Sequence, residues 1–360
     1  MKNFIFISLF FIGFIACSDT NIENSESDKI VPSSVLPSAT GAVDDVMFVF
    51  GNNQLTDANK AMINDLFLDS YDLLPQVENR FNLSKIKYEQ LNDILYRFRN
   101  TAFVSSIDAQ DNMGVFVRQL LTEEEIAQAE AGEKNIFYKR NIWSKPQMIM
   151  IVAAQTKEDI APLLTEKADF MMDVISYANI GAYKDLAYIK GVNEALNNQF
   201  AEYHDLKFDI PADYVIVENE GSFLWLRKDD EKNVYNIFFD VEYYNGTPAV
   251  QNLGIEKRNS LGGYVQSSIE EAYMITDTTL GTIEERVEND FGWEIYQNRG
   301  LWRMENDFFG GPFINQYIID QENNRAIYIE GFLFGPDEKK KRNKMRQFEA
   351  IFSTLEPSND

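Results

Sequence analysis

Two uninterrupted apolar runs place the strongest constraint on how this chain folds. Residues 46–50 read VMFVF between an acidic pair and a Gly-Asn-Asn turn, and residues 147–154 read QMIMIVAA. Short continuous apolar runs bounded by turn residues are typical of buried strands. We therefore expect both segments to form core strands of a folded body.

Helical periodicity surrounds these strands in the first half of the chain. Apolar residues three and four positions apart predict amphipathic helices over 59–74, 84–98, 157–179 and 183–204. Residues 123–133 are rich in Ala and Glu, which predicts an exposed helix, and 101–107 has the pattern of a further strand.

The second half is richer in strand patterns and ends in a helix. Strands are predicted over 214–217, 223–227, 234–244, 314–319 and 326–334. The closing helix, 338–355, has an apolar face formed by Met345, Phe348, Ile351 and Phe352. A basic run, 339–342, lies in its first turn, and we expect that run to be solvent-exposed.

These patterns predict an α+β protein of two similar halves, 42–182 and 183–357. In each half, strands are followed by an amphipathic helix, which raises the hypothesis of a pseudo-duplication. Sequence identity between the halves is too low to establish it. Neither half has the regular βαβ alternation of a doubly wound sheet, so we do not expect that fold.

Composition removes several classes of protein. With 33 Lys and Arg against 57 Asp and Glu, the net charge is −24, which disfavours binding to nucleic acid. One cysteine and one histidine exclude an internal disulfide and any Cys/His or multi-histidine metal site. We expect no cofactor, no metal and no nucleic-acid partner.

The N-terminus has the pattern of a lipoprotein leader. Residues 4–14 are almost wholly apolar but too few to span a bilayer. They lead into Ala16-Cys17, a junction that resembles the bacterial lipobox. We predict a signal peptide over 1–16 and lipidation of Cys17; the alternative is an ordinary signal peptide with an incidental cysteine.

The segment after the leader predicts a tether. Residues 17–41 begin with the cysteine and continue rich in Ser, Asn, Asp, Thr and Pro, as disordered linkers do. We therefore expect a body held to the membrane through a lipid anchor. The expected location is the outer membrane of the cell envelope, in a leaflet that the sequence leaves open.

The most unusual segment, 299–313, combines arginine, tryptophan, carboxylates and a Gly-Gly-Pro turn. As a binding surface it would offer an indole for stacking, two charged groups and two glycines that admit close approach: Trp302, Arg299, Glu305, Gly310 and Gly311. The alternative is a strand–turn–strand hairpin. In that case the tryptophan and Phe313 are core, and the arginine pairs with a local carboxylate.

A second cluster, 140–147, precedes a predicted core strand and has similar character. Its candidate binding residues are Trp143 and Gln147. If Trp143 and Trp302 lay in equivalent places of the two halves, a shared aromatic cleft between the halves would be a natural ligand site.

Several short motifs resemble one known family. They are Lys145-Pro146-Gln147 after Trp143, Arg299-Gly-Leu-Trp302, Gly310-Gly-Pro-Phe313, Gly331-Phe332 and Arg342. Together they resemble Bacteroidetes lipoproteins catalogued as domain of unknown function 4837, over about residues 43–355. The resemblance implies an envelope lipoprotein of a Bacteroidetes bacterium. It implies no activity and no catalytic residue, because none is established for the family.

Patterns of catalysis and modification are sparse. His204 is the only imidazole of the chain and ends a predicted helix, where a histidine needs no function. No GxSxG nucleophile elbow accompanies it, and we assign no catalytic residue. Asp277-Thr278-Thr279 fits a short acceptor pattern for envelope O-glycosylation, which makes Thr278 a candidate modification site.

Three functions remain open at this level. The first is a non-catalytic binding or assembly component of the outer membrane, with an envelope protein or a glycan as partner. The second is a glycan hydrolase that depends on carboxylates such as Glu305 or Asp307. The third is a ligand-capturing lipoprotein that serves a transporter.

Overall fold

The chain folds into two units, each built around one large sheet. The computed structural model describes residues 36–358 with the exception of 55, 69, 72 and 247–251. The predicted signal peptide, the predicted lipidation site Cys17 and most of the predicted tether lie outside the described residues.

The end of the predicted tether is already part of the body. The N–H of Ala39 donates to the carbonyl of Lys145 at 3.2 Å, and the N–H of Thr40 donates to the carbonyl of Arg97 at 2.8 Å. The polar composition that predicts a tether does not reveal these backbone pairs.

Within the described residues the first unit has five strands and four α-helices. They are β1 Asp45–Phe50, α1 Asp57–Phe67, β2 Asn82–Lys87, β3 Asn100–Ser106, α2 Asn112–Leu120, α3 Glu123–Ala131, β4 Ile136–Arg140, β5 Met148–Ala154 and α4 Ile160–Ala187.

The first sheet has the order β2-β1-β3-β5-β4. Four strands run parallel, and only β4 runs antiparallel, against β5. Helices α1 and α4 cover one face, and α2 and α3 cover the other. The central strands are buried on both faces, which is why their sequences are continuously apolar. The two core strands are thus confirmed. In its described residues the unit contains one βαβ unit, β1-α1-β2, but no α-helix separates β2 from β3 or β4 from β5, so the regular alternation of a doubly wound sheet is absent, as expected.

The helix predicted over 84–98 is wrong. The segment opens with β2, which pairs with β1, and continues through short 3-10 turns at Tyr88–Gln90 and Leu95–Arg97. Leu91 and Leu95 pack beneath the sheet, whereas Ile94 is exposed. Strand pairing with a neighbour overrides helical spacing here.

The two helices predicted over 157–179 and 183–204 divide differently in the structure. Helix α4 runs for 28 residues and ends at Ala187. The following helix begins at Glu194, where the side chain of Asn193 accepts the N–H of Leu196. This cap fixes the break between the two helices.

The second unit contains the remaining elements. They are α5 Glu194–His204, β6 Leu206–Lys207, β7 Val215–Glu220, β8 Phe223–Asp229, β9 Val234–Tyr243, α6 Leu253–Leu261, β10 Tyr273–Asp277, β11 Ile283–Val287, β12 Glu294–Glu305, β13 Gly310–Asp320, β14 Arg325–Phe334, α7 Arg342–Phe352 and β15 Glu356–Pro357.

The second large sheet is antiparallel throughout. Its order is β10-β12-β13-β14-β9-β8-β7, and β11 pairs with β12 beyond the end of β10. Helices α5 and α7 pack on one face and α6 on the other. Hairpins join β7 to β8 and β13 to β14, between strands that the sequence patterns predict.

Helix α6 carries a buried charge into the sheet. Arg258 is fully buried, with its Nε 3.1 Å from Glu330 Oε1 and its guanidinium over the ring of Phe313. Burial raises the pKa of Glu330. A buried arginine needs such a partner, so this pair fixes where α6 lies.

The α+β class is confirmed, but the two units are not alike. The first sheet is mainly parallel with helices on both faces, and the second is a long antiparallel meander. The structure therefore gives no support to a pseudo-duplication.

Helix α7 lies between the two units. The predicted apolar face is confirmed, since its side chains belong to the core over the second sheet: Met345, Phe348, Ile351 and Phe352. Phe348 fits over Gly331, where an added Cβ would come within 2.3 Å of its ring. The glycine of the Gly331-Phe332 motif therefore makes room for this helix.

The other side of α7 is charged and faces the first unit. Arg342 forms an ion pair with Asp44, and the guanidinium of Arg346 lies 5.5 Å from the ring centre of Tyr71 and 5.3 Å from that of Phe81. Both arginines are nearly fully buried. The contact between the units is thus made of paired cations rather than of apolar surface alone.

The basic run 339–342 is only half solvent-exposed. Lys339 and Lys340 are exposed, but Lys341 and Arg342 are buried. Burial lowers the pKa of Arg342 to about 10, and neighbouring Arg346 adds to the effect. The expectation of a fully solvated run is wrong because its second half is the start of the contact between the units.

None of the helices in the described part of the chain is both long enough and apolar enough to cross a membrane.

Replacement of Phe348 by alanine tests the role of α7. We expect F348A to lower the free energy of unfolding by about 3–5 kcal/mol, because it leaves a cavity over Gly331. Urea denaturation followed by circular dichroism measures the change. Phe170, also helical but 49 % exposed, supplies the control F170A, which should cost less than about 1 kcal/mol. Equal losses in the two variants would contradict the packing described for α7.

Candidate binding surfaces

The segment 299–313 forms a hairpin, as its structural alternative predicted. In the ladder between β12 and β13, Trp302 pairs with Gly311 and Arg303 pairs with Gly310. The turn passes through Asn306, whose φ of 62° is left-handed, and closes with a bond from the N–H of Met304 to the carbonyl of Phe309.

Trp302 is a core residue. It is 4 % exposed, and its indole Nε1 donates to the carbonyl of Leu333 at 3.2 Å. An added Cβ at Gly311 would come within 2.0 Å of that carbonyl oxygen, and one at Gly310 within 2.8 Å of the carbonyl of Trp302. The two glycines thus admit a close approach, but of the protein's own backbone.

Arg299 lies at the contact between the units. Its Nη1 donates to the hydroxyl of Tyr71 at 2.6 Å and to Glu349 Oε1 at 2.7 Å. Its Nη2 is 3.5 Å from Glu285 Oε1. These partners come from the first unit, from α7 and from β11. The hairpin alternative expected the arginine to pair with a local carboxylate, and that part of it is wrong.

The same cluster holds Glu349 ionised. Tyr71 donates its hydroxyl to Glu349, and burial raises the pKa of Tyr71. Burial alone would also raise the pKa of Glu349, but Arg299 and Arg346 and the hydrogen bonds from Tyr71 and Arg299 hold it below the ordinary value of 4.5. The cluster works as a buried ion-pair network that joins the units.

Glu305 is the last residue of β12, whereas Arg299 lies in the middle of that strand. Its carboxylate is 2.8 Å from Arg303 Nη2, and both side chains are partly exposed. Asp307, in the turn, accepts the N–H of Phe308 at 2.7 Å. The structure therefore spreads the candidates of this segment over an ion-pair network, a core and a turn, and does not bring them together in one site.

The second cluster organises the turn between β4 and β5. Gln147 is 4 % exposed; its Oε1 accepts the N–H of Trp143 at 2.9 Å. Its Nε2 donates to the carbonyls of Tyr96 at 2.6 Å and Phe98 at 3.0 Å. This amide ties the turn to the segment before β3.

The two tryptophans do not share a cleft. Trp143 packs with Phe103 and stacks on Phe116 under the first sheet. Trp302 belongs to the core between the second sheet and α6. The shared aromatic cleft is wrong because the two residues lie in separate cores.

The two remaining candidate positions, His204 and Thr278, lie in a core contact and in a surface turn. His204 ends α5 and packs against the rings of Phe200 and Phe239, and burial lowers its pKa. Thr278 is exposed in the turn between β10 and β11. Its accessibility suits modification, and its glycosylation stays a prediction.

No group of three or more His, Cys, Asp or Glu side chains that could hold a metal occurs within 36–358 as far as the structure describes it.

An open groove lies elsewhere, between β4 and α4. Its volume is about 270 Å³, and it is lined by Tyr138, Arg140, Met148, Phe170, Asp173, Val174, Tyr177 and Ala178. Three of its aromatic side chains face solvent: Tyr138 is 53 %, Phe170 49 % and Tyr177 72 % exposed. A cluster of exposed aromatic side chains in a concave surface is typical of a binding site.

The groove follows from how α4 crosses the sheet. Phe170 and Tyr177 are two helical turns apart and therefore lie on one side of α4. On α4 between them, Asp173 is 3.2 Å from Arg80 Nη2. Sequence analysis missed this site because it missed β4, although IFYKR at 136–140 has the aromatic and β-branched residues of a short strand.

Two family models match the chain, one on each unit. Residues 193–354 match a domain of unknown function (DUF4837), and residues 39–186 match a second domain of unknown function (DUF8532). A search of curated proteins found no match. The resemblance stated from the motifs is thus limited to the second unit. The motif around Trp143 falls in the range of the other family.

The amide of Gln147 is predicted to matter for stability rather than for binding. Q147L would leave one N–H and two carbonyl groups without their partner, and we expect a loss of about 3 kcal/mol in the free energy of unfolding. Chemical denaturation measures it, with Q76L at an exposed position as the control. An unchanged stability with weakened partner binding would instead support the original binding role.

The acid dependence of stability is predicted to report on Glu349. Because the folded-state pKa lies below the unfolded one, ionised Glu349 stabilises the fold at neutral pH, and this stabilisation is lost as pH falls below about 4.5. E349Q should lower the free energy of unfolding by about 3 kcal/mol at pH 7. Between pH 5 and pH 3 the stability of the variant should fall less steeply with pH, because one carboxylate no longer takes up a proton on unfolding. Denaturation at a series of pH values tests this. E356Q, which removes an exposed pair with Lys207, should keep the slope of the parent protein.

Proposed function

We propose that the protein is an envelope lipoprotein, anchored through Cys17 at the outer membrane, whose body binds another envelope component without catalysing a reaction. The leader and the lipobox-like junction support the anchor, and the composition of 17–35 supports a tether. The resemblance to Bacteroidetes lipoproteins supports the same placement. A lipid anchor with a tether holds a binding surface near its partners and raises their effective concentration.

The groove between β4 and α4 is the observation that carries this proposal. Exposing three aromatic side chains around one concavity leaves a large apolar area in water, which a partner would cover. Phe170 and Tyr177 are fixed on a long helix and Tyr138 on a strand, so the surface is preorganised. Arg140 and Asp173 at its margin add polar contacts that would orient the partner.

The carboxylates considered for a glycan hydrolase have a different setting. Glu305 forms an ion pair with Arg303, and Asp307 accepts a backbone N–H of its own turn. Both lie on the second unit, away from the groove of the first. The geometry therefore favours binding over hydrolysis.

Site-specific crosslinking tests the proposed function. A photoreactive phenylalanine analogue at position 177 should give adducts with an envelope component in intact cells. The same analogue at Tyr203, which is 75 % exposed on α5, is the matched control and should give few. Equal labelling at both positions, or turnover of an envelope glycan that E305Q abolishes, would contradict the proposal.

Removal of the anchor is a separate test. C17A should shift the protein from the membrane fraction to the soluble fraction and should abolish incorporation of radiolabelled palmitate, because a single lipidated cysteine is the proposed attachment. S18A, next to it, should change neither. Retention of C17A in the membrane with unchanged processing would show that the anchor is not this cysteine.

A further inference from the structure

One edge of β4 is open. Among the described residues, β4 is the last strand of its sheet and has β5 as its only partner. A strand in this position presents unpaired N–H and C=O groups along its outer side. Proteins commonly cover or shorten such an edge because it can pair with another chain. An open edge strand beside a groove is therefore a candidate site for such pairing.

The hydrogen-bond pattern identifies the outward groups. The N–H of Ala153 donates to the carbonyl of Asn135 at 2.8 Å, and the N–H of Asn141 donates to the carbonyl of Gln147 at 3.0 Å. Because pairing in an antiparallel ladder alternates with a period of two, residues of odd number in β4 face β5. The backbone groups of Tyr138 and Arg140 therefore point outward, and both residues are exposed.

The open edge and the groove are parts of one surface. Tyr138 and Arg140 line the groove with their side chains and supply the outward backbone groups of β4. In an added strand every second side chain would point to the same face as Tyr138. Those side chains would meet Phe170 and Tyr177 across the groove, which is the arrangement used when proteins bind a peptide by strand addition.

The positive charge around β4 indicates which net charge a bound peptide would carry. Residues 134–147 contain four cations, Lys134, Lys139, Arg140 and Lys145, and no carboxylate, although the chain as a whole has 57 acidic and 33 basic residues. Lys139 is paired with Glu125 at 2.7 Å. The edge is therefore locally basic on an acidic protein, and attraction favours an acidic partner.

We infer that the groove binds an extended acidic segment of an envelope partner, which adds to β4 as a sixth strand. Backbone bonds to Tyr138 and Arg140 supply affinity, and alternate apolar side chains of the segment fill the groove between Phe170 and Tyr177. A second copy of the chain is a poorer occupant, because two basic edges would face each other. The inference rests on the proposed function, since it names the partner class of the same groove.

A synthetic peptide is the probe. The acetylated and amidated heptapeptide Asp-Val-Glu-Tyr-Glu-Val-Asp is added to the full-length lipoprotein in detergent micelles, and amide hydrogen exchange is followed by residue. We expect exchange at Tyr138 and Arg140 to slow by about tenfold or more. A version with lysine at every acidic position should not bind. N-methylation of the alternate amides that face β4 should abolish binding, and N-methylation of the others should not.

Variants of the chain complete the test. R140E should weaken binding of the acidic peptide at least about tenfold, since it reverses a charge at the edge. K190E, at an exposed lysine beyond the end of α4, changes the net charge equally and should leave binding unchanged. Equal effects of the two variants would mean that only overall charge matters, which overturns the inference.

The remaining outcomes separate the two proposals. Crosslinks from position 177 without protection of Tyr138 and Arg140, or indifference to N-methylation, would overturn strand addition and leave the proposed function standing. Exchange at Tyr138 and Arg140 could instead already be slow without peptide and become fast when the segment 18–35, which contains four acidic residues, is deleted. That result would make the chain's own N-terminal segment the occupant. Protection that rises with protein concentration alone would make it a second copy. Either of these overturns the inference.

Discussion

The two-sided packing of α7 is the interaction on which the rest of the structure depends. Its apolar side closes the core over the second sheet, and Arg342, Arg346 and Glu349, spaced four and three residues apart, form a charged stripe toward the first unit. Buried charges are costly unless polar or aromatic groups compensate them, and each of these contacts the first unit. Arg342 pairs with Asp44, Arg346 lies over the ring of Phe81, and Glu349 accepts the hydroxyl of Tyr71. The stripe therefore fixes how the units are placed, whereas apolar contact alone would allow sliding.

The conspicuous residues of the sequence serve packing, and the inconspicuous ones form the open surface. Trp302 and the glycines of its hairpin let β13 pass close to β14, and Arg299 anchors the same hairpin to α7. The groove is built by a tyrosine, a phenylalanine and a tyrosine that no motif contains. Unusual composition here marks positions where a close-packed interior leaves little room, as at the two glycines beside Trp302.

Sequence patterns predicted an element correctly where its burial depends on its own periodicity rather than on a distant partner. The core strands β1 and β5 and the apolar face of α7 could be predicted because burial on both faces, or on one helical face, leaves a direct periodic signal. The helix expected over 84–98 could not be corrected from the sequence, because its competitor is a pairing with β1, some forty residues before. The groove depends on the angle at which α4 crosses β4, which no local pattern encodes.

The start of α7 receives its acceptor from the other unit. Glu78 accepts the N–H of Lys341, 263 residues further along the chain, and also that of Arg342. The first N–H groups of a helix have no partner within it and carry partial positive charge, so a carboxylate there stabilises the helix. The last helix made during synthesis is thus completed by a segment made long before. Because neither unit keeps this contact when the other is unfolded, the body should denature in one cooperative transition despite its two sheets.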